Sequence, residues 1–92
     1  MINGFADNET EKVYNGERSR RLPVNIQEPA RKKLRMLNNV ASPEELRKPP
    51  GNRFEALEGR NGFYSIRVNR QWRITFSWGN SGAENVRIED YH

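Results

Sequence analysis

The sequence contains no cysteine and a single histidine among its 92 residues. Disulfides and thiolate metal sites are therefore excluded, and one imidazole cannot by itself build a zinc site from protein ligands. There is also no apolar run long enough for a membrane span, and residues 1–5 lack the basic start and long apolar stretch of a secretion signal. We therefore expect a cytoplasmic protein with no metal, no cofactor and no membrane partner.

Hydrophobic residues are scarce as well, at 34% of the chain. A chain of this length encloses one modest core, so residues 1–92 are predicted to form a single domain. Two Trp, three Tyr, four Phe and a clear periodicity argue against disorder. Sixteen Lys and Arg against twelve Asp and Glu give a net charge of +4. This charge favours an acidic partner such as nucleic acid or an acidic protein surface, although a solvated basic surface would also explain it.

Apolar and polar residues alternate in two consecutive runs within residues 63–76. A period of two sends successive side chains to opposite faces of a strand. The pattern therefore predicts two strands with one packed face and one open face. Arg67 and Arg73 fall on the open face, and Arg70 lies near the turn between the strands. Several guanidiniums on one face of a sheet suit a polyanion.

The rest of the chain predicts helices before this sheet and further strands around it. A short helix is predicted at residues 7–15 and the main helix at residues 25–40, where Asn25 and Glu28 suit a capping box. A brief further helix begins at Ser42. Strands are predicted at residues 53–57, 63–68, 72–78 and 84–91, with residues 2–5 as an edge strand. The fold class is α+β, with helices packed on one face of a largely antiparallel four- or five-stranded sheet.

The last four residues combine two carboxylates, a phenol and the single histidine. Such a titratable cluster beside a basic sheet is a candidate acid-base site; the alternative is that Tyr91 packs while Asp90 and His92 are merely solvated. Metal-free RNA cleavage needs a base for the ribose 2′-hydroxyl, an acid for the departing 5′-oxygen and cations for the phosphate. His92 and Asp90 could transfer the protons, and Arg67 and Arg73 could hold the phosphate.

Several segments of the sequence carry a family resemblance. They are PGNR at residues 50–53, EAL at 55–57, SIRVN at 65–69, QWRITF at 71–76 and the DYH ending at 90–92. With these segments the chain resembles the HigB-type toxins of bacterial toxin-antitoxin systems, which belong to the RelE/ParE superfamily. The likeness covers nearly the whole chain, and it depends on the internal motif and the ending rather than on the N-terminal helices.

The resemblance implies a RelE-like, microbial ribonuclease-like fold and an activity. The implied enzyme is a metal-independent endoribonuclease, an mRNA interferase, that enters the ribosomal A site and cleaves translated mRNA. Cleavage by 2′-hydroxyl attack on the phosphate would inhibit translation. The resemblance also implies a HigA-type helix-turn-helix antitoxin as partner, with operator DNA bound through the toxin-antitoxin complex.

The resemblance also assigns site residues. The catalytic roles of HigB-like toxins carry over onto Asp90, Tyr91, His92, Arg67 and Arg73. Some members have a histidine and a lysine in the loop before the central strand, but here that stretch reads FEALE at residues 54–58 and has neither. Arg53 or Arg60 could supply the missing positive charge, and Glu55 could act as a base. Together with Arg70 near the turn, these residues form the predicted substrate-binding set.

Two other functions remain open at this point. ParE-type relatives share the implied fold but inhibit DNA gyrase without catalysis, with a protein surface in place of the RNA. The other possible function is that of a plain RNA-binding module. The Asp90-Tyr91-His92 ending favours the enzyme.

Overall fold

The structure is a computed structural model that describes residues 1–90. The helices are α1 (Asn8–Tyr14) and α2 (Val24–Asn39), followed by two short 3₁₀ helices, Pro43–Arg47 and Pro50–Asn52. The strands are β1 (Glu55–Ala56), β2 (Phe63–Arg67), β3 (Trp72–Trp78) and β4 (Ala83–Asp90). This order of helices followed by strands confirms the predicted α+β class.

The four strands form one antiparallel sheet in the order β1-β2-β3-β4. Ile66 lies opposite Ile74, and Arg67 lies opposite Arg73. Directly opposed residues share a face of the sheet, so the register confirms the predicted separation of apolar and basic residues. The strand predicted at residues 53–57 is shorter than expected, because Arg53 has φ 43°, in the left-handed region that extended strands do not use.

The edge strand predicted at residues 2–5 is present only as two isolated parallel bridges, Ile2 with Ala83 and Phe5 with Val86. The backbone of Ala83 donates to Met1 O at 2.8 Å, so the chain passes very close to the preceding Gly82. A Cβ atom on Gly82 would lie 2.0 Å from that same oxygen. Only glycine therefore fits at this turn.

The start of α2 corrects the predicted capping box. The helix begins at Val24 after Pro23, and no side chain caps it, while Glu28 accepts hydrogen bonds from Arg31 instead. Pro29 lies inside the helix. The capping box at Ser42, with Glu45 as its second member, is present at the first 3₁₀ helix.

The core lies between the helices and one face of the sheet. Helix α1 is joined to β4 by a buried hydrogen bond from Ile88 N to Thr10 Oγ1 at 2.9 Å. In β4 an extra residue near Asn85, with φ 55°, shifts the register and allows both Ala83 and Val86 to face the helices. The buried apolar residues are Val13, Ile26, Ala30, Leu34, Leu37, Leu46, Ile66, Ile74, Phe76, Ala83, Val86 and Ile88.

No helix within residues 1–90 is both long and apolar enough to cross a bilayer.

Candidate active site

The face of the sheet turned away from the helices carries a row of charged side chains across three strands. Arg67 on β2 lies opposite Arg73 on β3, which in turn lies opposite Glu89 on β4. Two neighbouring arginines repel each other unless carboxylates lie close by. Two glutamates, Glu89 and Glu55, supply that compensation. Glu55 Oε1 is 3.9 Å from Arg73 Nη2.

Arg73 is almost completely buried, with 6% of its surface exposed. Its Nε donates to Ser65 Oγ at 2.8 Å, and its Nη2 donates to the carbonyl oxygen of Arg53 at 2.6 Å. A guanidinium has a fixed fork of donors, so these acceptors determine its orientation. The two predicted phosphate-binding arginines therefore differ, because Arg73 is held by the protein itself.

Arg67 is half-buried and more open to a ligand than Arg73. Its Nε donates to the carbonyl oxygen of Asn69 at 3.0 Å. Within residues 1–90 its two terminal amino groups make no hydrogen bond or ion pair. Arg70 is exposed on the turn that follows β2. The anchored Nε fixes the direction of the Arg67 side chain while the amino groups stay available for an anion.

Glu89 is bound by Arg60 across the open face. Arg60 Nη1 and Nη2 donate to the two carboxylate oxygens of Glu89, each at 2.9 Å, and Thr75 Oγ1 donates to the same carboxylate. The hydrogen bonds from Arg60 are the main reason that the pKa of Glu89 is below its usual value, although partial burial opposes the shift. Arg60, predicted to bind substrate, is thus bound to Glu89 in this structure.

Arg53 and Glu55 form the rim of this face. Asn52 is fully buried, donates to Leu46 O at 3.1 Å and accepts from Lys33 Nζ. Arg53 follows it in the left-handed conformation, its carbonyl oxygen bound to Arg73 and its side chain exposed. A left-handed arginine is uncommon and persists only where its surroundings require it. Here the buried asparagine and the arginine together hold the rim in place.

A cleft of about 480 Å³ opens on this side of the molecule. Four of its lining residues are carboxylates and one is an arginine, so the cleft is mainly acidic. The lining residues are Glu55, Ala56, Leu57, Glu58, Arg60, Thr75, Glu89 and Asp90. Such a cleft offers bases for proton abstraction, while its one cation, Arg60, is paired with Glu89.

Asp90 lies at the end of β4, and the register places it opposite Trp72 rather than opposite Arg73. Its side chain therefore belongs to the other face of the sheet, and its Oδ2 accepts from Gln71 Nε2 at 3.0 Å. As the last strand residue it lines a second cleft of about 830 Å³ as well as the first. The predicted catalytic residues Tyr91 and His92 lie outside the described residues.

The structure thus brings Arg67 and Arg73 together, with Glu55 and the Arg53 carbonyl beside them. Several polar residues of this network escaped the sequence prediction, namely Asn52, Ser65 and Thr75. Glu89 was part of the predicted C-terminal titratable cluster, and its alternation with the buried Ile88 in β4 places it on the open face. In the described part of the chain no group of three or more His, Cys, Asp or Glu residues is arranged to hold a metal ion.

Helices on one face of an antiparallel four-stranded sheet, with arginines on the other face, are consistent with a RelE-like fold. The sequence matches the family described as the RelE-like toxin of type II toxin-antitoxin system HigB over residues 3–92. The chain therefore belongs to the HigB-like toxins, as the motif and ending predicted. Membership of a toxin-antitoxin family implies an antitoxin partner.

Three relatives show how far the similarity extends. Toxin HigB-1 of Vibrio cholerae serotype O1 is 39% identical over 89 residues, which cover 95% of this chain and 94% of the relative. An uncharacterized protein of Haemophilus influenzae is 32% identical over 89 residues, covering 95% and 88%. Endoribonuclease HigB of Proteus vulgaris is 48% identical over 33 residues, 36% of each chain.

Proposed function

We propose that this chain is an endoribonuclease that cleaves mRNA on the ribosome by attack of a ribose 2′-hydroxyl on the adjacent phosphate. Its family and the name of the Proteus vulgaris relative support the class of reaction. The structural observation that carries the proposal is Arg67, half-buried on the open face with its terminal amino groups uncommitted within residues 1–90. A ribosomal substrate makes the cytoplasm the place of action.

The two arginines of the open face have different roles at the phosphate. Arg67 contacts a phosphate oxygen with its terminal amino groups and stabilises the charge that grows as the 2′-oxygen attacks. Arg73 acts mainly as a positioning residue, because its donors hold Ser65 and the Arg53 carbonyl. Its charge still adds to the positive field at Arg67, since the two residues are direct cross-strand neighbours.

Proton transfer in this proposal involves the C-terminus and the cleft. His92 is the general acid-base residue, with Tyr91 and Asp90 beside it in sequence. Because one imidazole cannot be base and acid at the same instant, a second group has to complete the reaction. Glu55 can act as that base because its carboxylate is exposed at the rim and lines the cleft on the open face.

The partner follows from the same family. We expect a HigA-type antitoxin with a helix-turn-helix, whose complex with the toxin binds operator DNA. The toxin then reaches the ribosome only when the antitoxin is absent. Arg53 and Arg70, exposed near the open face, would guide the mRNA by contacting its backbone phosphates.

Primer extension on an mRNA in a translating extract tests the activity. Wild-type protein should create new RNA ends only when ribosomes translate the message, and His92→Ala should abolish them while its circular dichroism spectrum stays unchanged. If wild-type protein produces no new ends but stabilises cleavage complexes of DNA gyrase, the protein is a ParE-like inhibitor. If His92→Ala cleaves at the wild-type rate, the assignment of the histidine fails.

A further inference from the structure

The loop between α1 and α2 concentrates positive charge, since residues 17–22 contain three arginines and one glutamate. Arg18, Arg20 and Arg21 are all exposed, and within residues 1–90 none of their guanidiniums is part of an ion pair or hydrogen bond. By contrast, Arg31 and Arg47 are paired with glutamates on their own helices. We call residues 17–22 the arginine loop.

The arginine loop is held rigidly by one buried serine. Ser19 has 1% of its surface exposed, and its hydroxyl donates to Glu9 Oε1 at 2.6 Å. Ser19 Oγ also accepts from the backbone N–H groups of Arg21 and Leu22, each at 3.2 Å. The loop is therefore fixed from inside while its arginines point to solvent on either side of the serine.

Gln27 on α2 binds the loop from the other side. Its Oε1 accepts from Ser19 N at 3.0 Å, and its Nε2 donates to the carbonyl oxygens of Ser19 and Leu22 at 2.9 and 2.8 Å. These bonds join the loop to the first turn of α2. A loop whose backbone is already ordered loses little conformational entropy when its side chains bind a ligand. Its arginines therefore project from a backbone that is already ordered before a ligand binds.

The arginine loop is adjacent to the candidate active site. Arg21 and Leu22 line the cleft of about 830 Å³ together with Trp72, Arg87 and four carboxylates, which are Asp7, Glu9, Glu89 and Asp90. Glu89 and Asp90 also line the cleft on the open face. The two clefts therefore adjoin at the end of β4, and two residues of the arginine loop line the second one.

We infer that the arginine loop is a second RNA-binding site, which binds backbone phosphates away from the position of cleavage. Guanidiniums match phosphate oxygens in pairs and remain charged. This inference rests on the proposed function, because that function makes RNA the ligand. The competing ligand is an acidic protein segment. RNA is favoured because the loop lines a cleft that adjoins the cleft at the active site. The loop also exposes no aromatic residue of the kind that anchors a protein partner.

The test measures RNA affinity by fluorescence anisotropy over a range of salt concentrations. The probe is a labelled RNA with 2′-O-methyl groups, which cannot undergo 2′-hydroxyl attack, in single-stranded and duplex forms. The variant replaces Arg18, Arg20 and Arg21 with Gln. The matched control replaces Lys32, Arg35 and Lys48 with Gln, which removes the same charge from exposed residues that have no ion pair within residues 1–90.

We expect the loop variant to bind about 10- to 100-fold more weakly near 0.1 M salt, and its plot of log K against log salt to be shallower by about two units. The control should differ from wild type by much less. A larger loss with the single strand identifies mRNA as the ligand, and a larger loss with the duplex identifies folded RNA.

Two results would overturn the inference. One is an equal loss of affinity in both triple variants, which would mean that net charge alone matters. The other is unchanged RNA binding in the loop variant, and loss of antitoxin binding by that same variant would then assign the loop to protein contact. The proposed function fails separately, because wild-type protein could bind this RNA through the loop and still produce no new ends in translated mRNA.

Discussion

The two faces of the sheet are built from the same strands but are stabilised in different ways. On the packed face, Ile66, Ile74 and Phe76 are completely buried against the helices. On the open face, Arg73 is nearly as buried, yet it is surrounded by oxygen acceptors. The packed face depends on apolar area removed from water, and the open face depends on hydrogen bonds with fixed directions.

This difference indicates which face of the sheet can carry a functional site. An apolar face tolerates any side chain of suitable size and shape, so it carries stability without chemical identity. A polar network is destabilised when one member changes, but it holds charged groups in defined positions. Arg67 is fixed in direction and still open to a ligand, because its Nε donates to the Asn69 carbonyl while its terminal amino groups make no hydrogen bond within residues 1–90.

The largest effect is expected on the packed face. Phe76→Ala should lower the free energy of unfolding by about 3–5 kcal/mol, because it leaves a cavity between α2 and the sheet. Its neighbour Thr75→Ala, on the open face, should cost only about 1 kcal/mol for the lost hydrogen bond to Glu89. Urea denaturation of both variants gives the comparison. Equal losses would contradict the assignment of the two faces.

The next effect is on activity rather than stability. Arg67→Gln should reduce the rate of mRNA cleavage by about 10²- to 10³-fold, because the charge that meets the phosphate is removed. Its free energy of unfolding should stay within about 0.5 kcal/mol of wild type. Primer extension and urea denaturation measure the two quantities. Arg70→Gln is the control and should retain most of the activity, since Arg70 lies on the exposed turn.

Arg73 should behave as a structural residue although it lies on the open face. Arg73→Lys keeps the charge but cannot reach both Ser65 and the Arg53 carbonyl, so the free energy of unfolding should fall by about 1.5–3 kcal/mol. Urea denaturation measures this loss. A variant as stable as wild type but inactive would instead show that Arg73 contacts the phosphate directly.

The smallest effect concerns pH. Because the pKa of Glu89 is lower in the folded protein than its ordinary value of 4.5, its ion pair stabilises the fold above that pH. This contribution is lost as the pH falls below 4.5 towards the folded pKa. Urea midpoints measured between neutral and acid pH should therefore decline less in Glu89→Gln than in wild type. Parallel curves would show that the Arg60 pair contributes nothing.

Much of the fold could be predicted because it depends on the local periodicity of apolar residues in the sequence. The alternation through Trp72, Ile74 and Phe76 defined β3 and its two faces before any contact was known. The helix start at Ser42 is equally local. The start of α2 was predicted wrongly, because the helix begins after Pro23 with no side-chain cap, and the Gln27 side chain binds Ser19 of the preceding loop.

The site was predicted less completely than the fold. Arg67 and Arg73 were placed on one face correctly, but Asp90 was expected beside them and lies in register with Trp72. The burial of Arg73 was not foreseen, since its acceptor at Arg53 comes from a left-handed residue twenty positions earlier in the chain. Such a conformation has no signature in the sequence of an arginine.

By itself, the sequence determined the class of the protein, the order of its elements and the presence of an open basic face, because these depend on composition, spacing and motif. Only the tertiary structure decided which charges are available. Arg60 is bound to Glu89 and Arg73 is enclosed by acceptors. By contrast, the terminal amino groups of Arg67 and the guanidiniums of the arginine loop make no hydrogen bond or ion pair within residues 1–90. The physical reason is that neutralisation of a charge depends on distance in space, and residues 29 positions apart in sequence meet here within 2.9 Å.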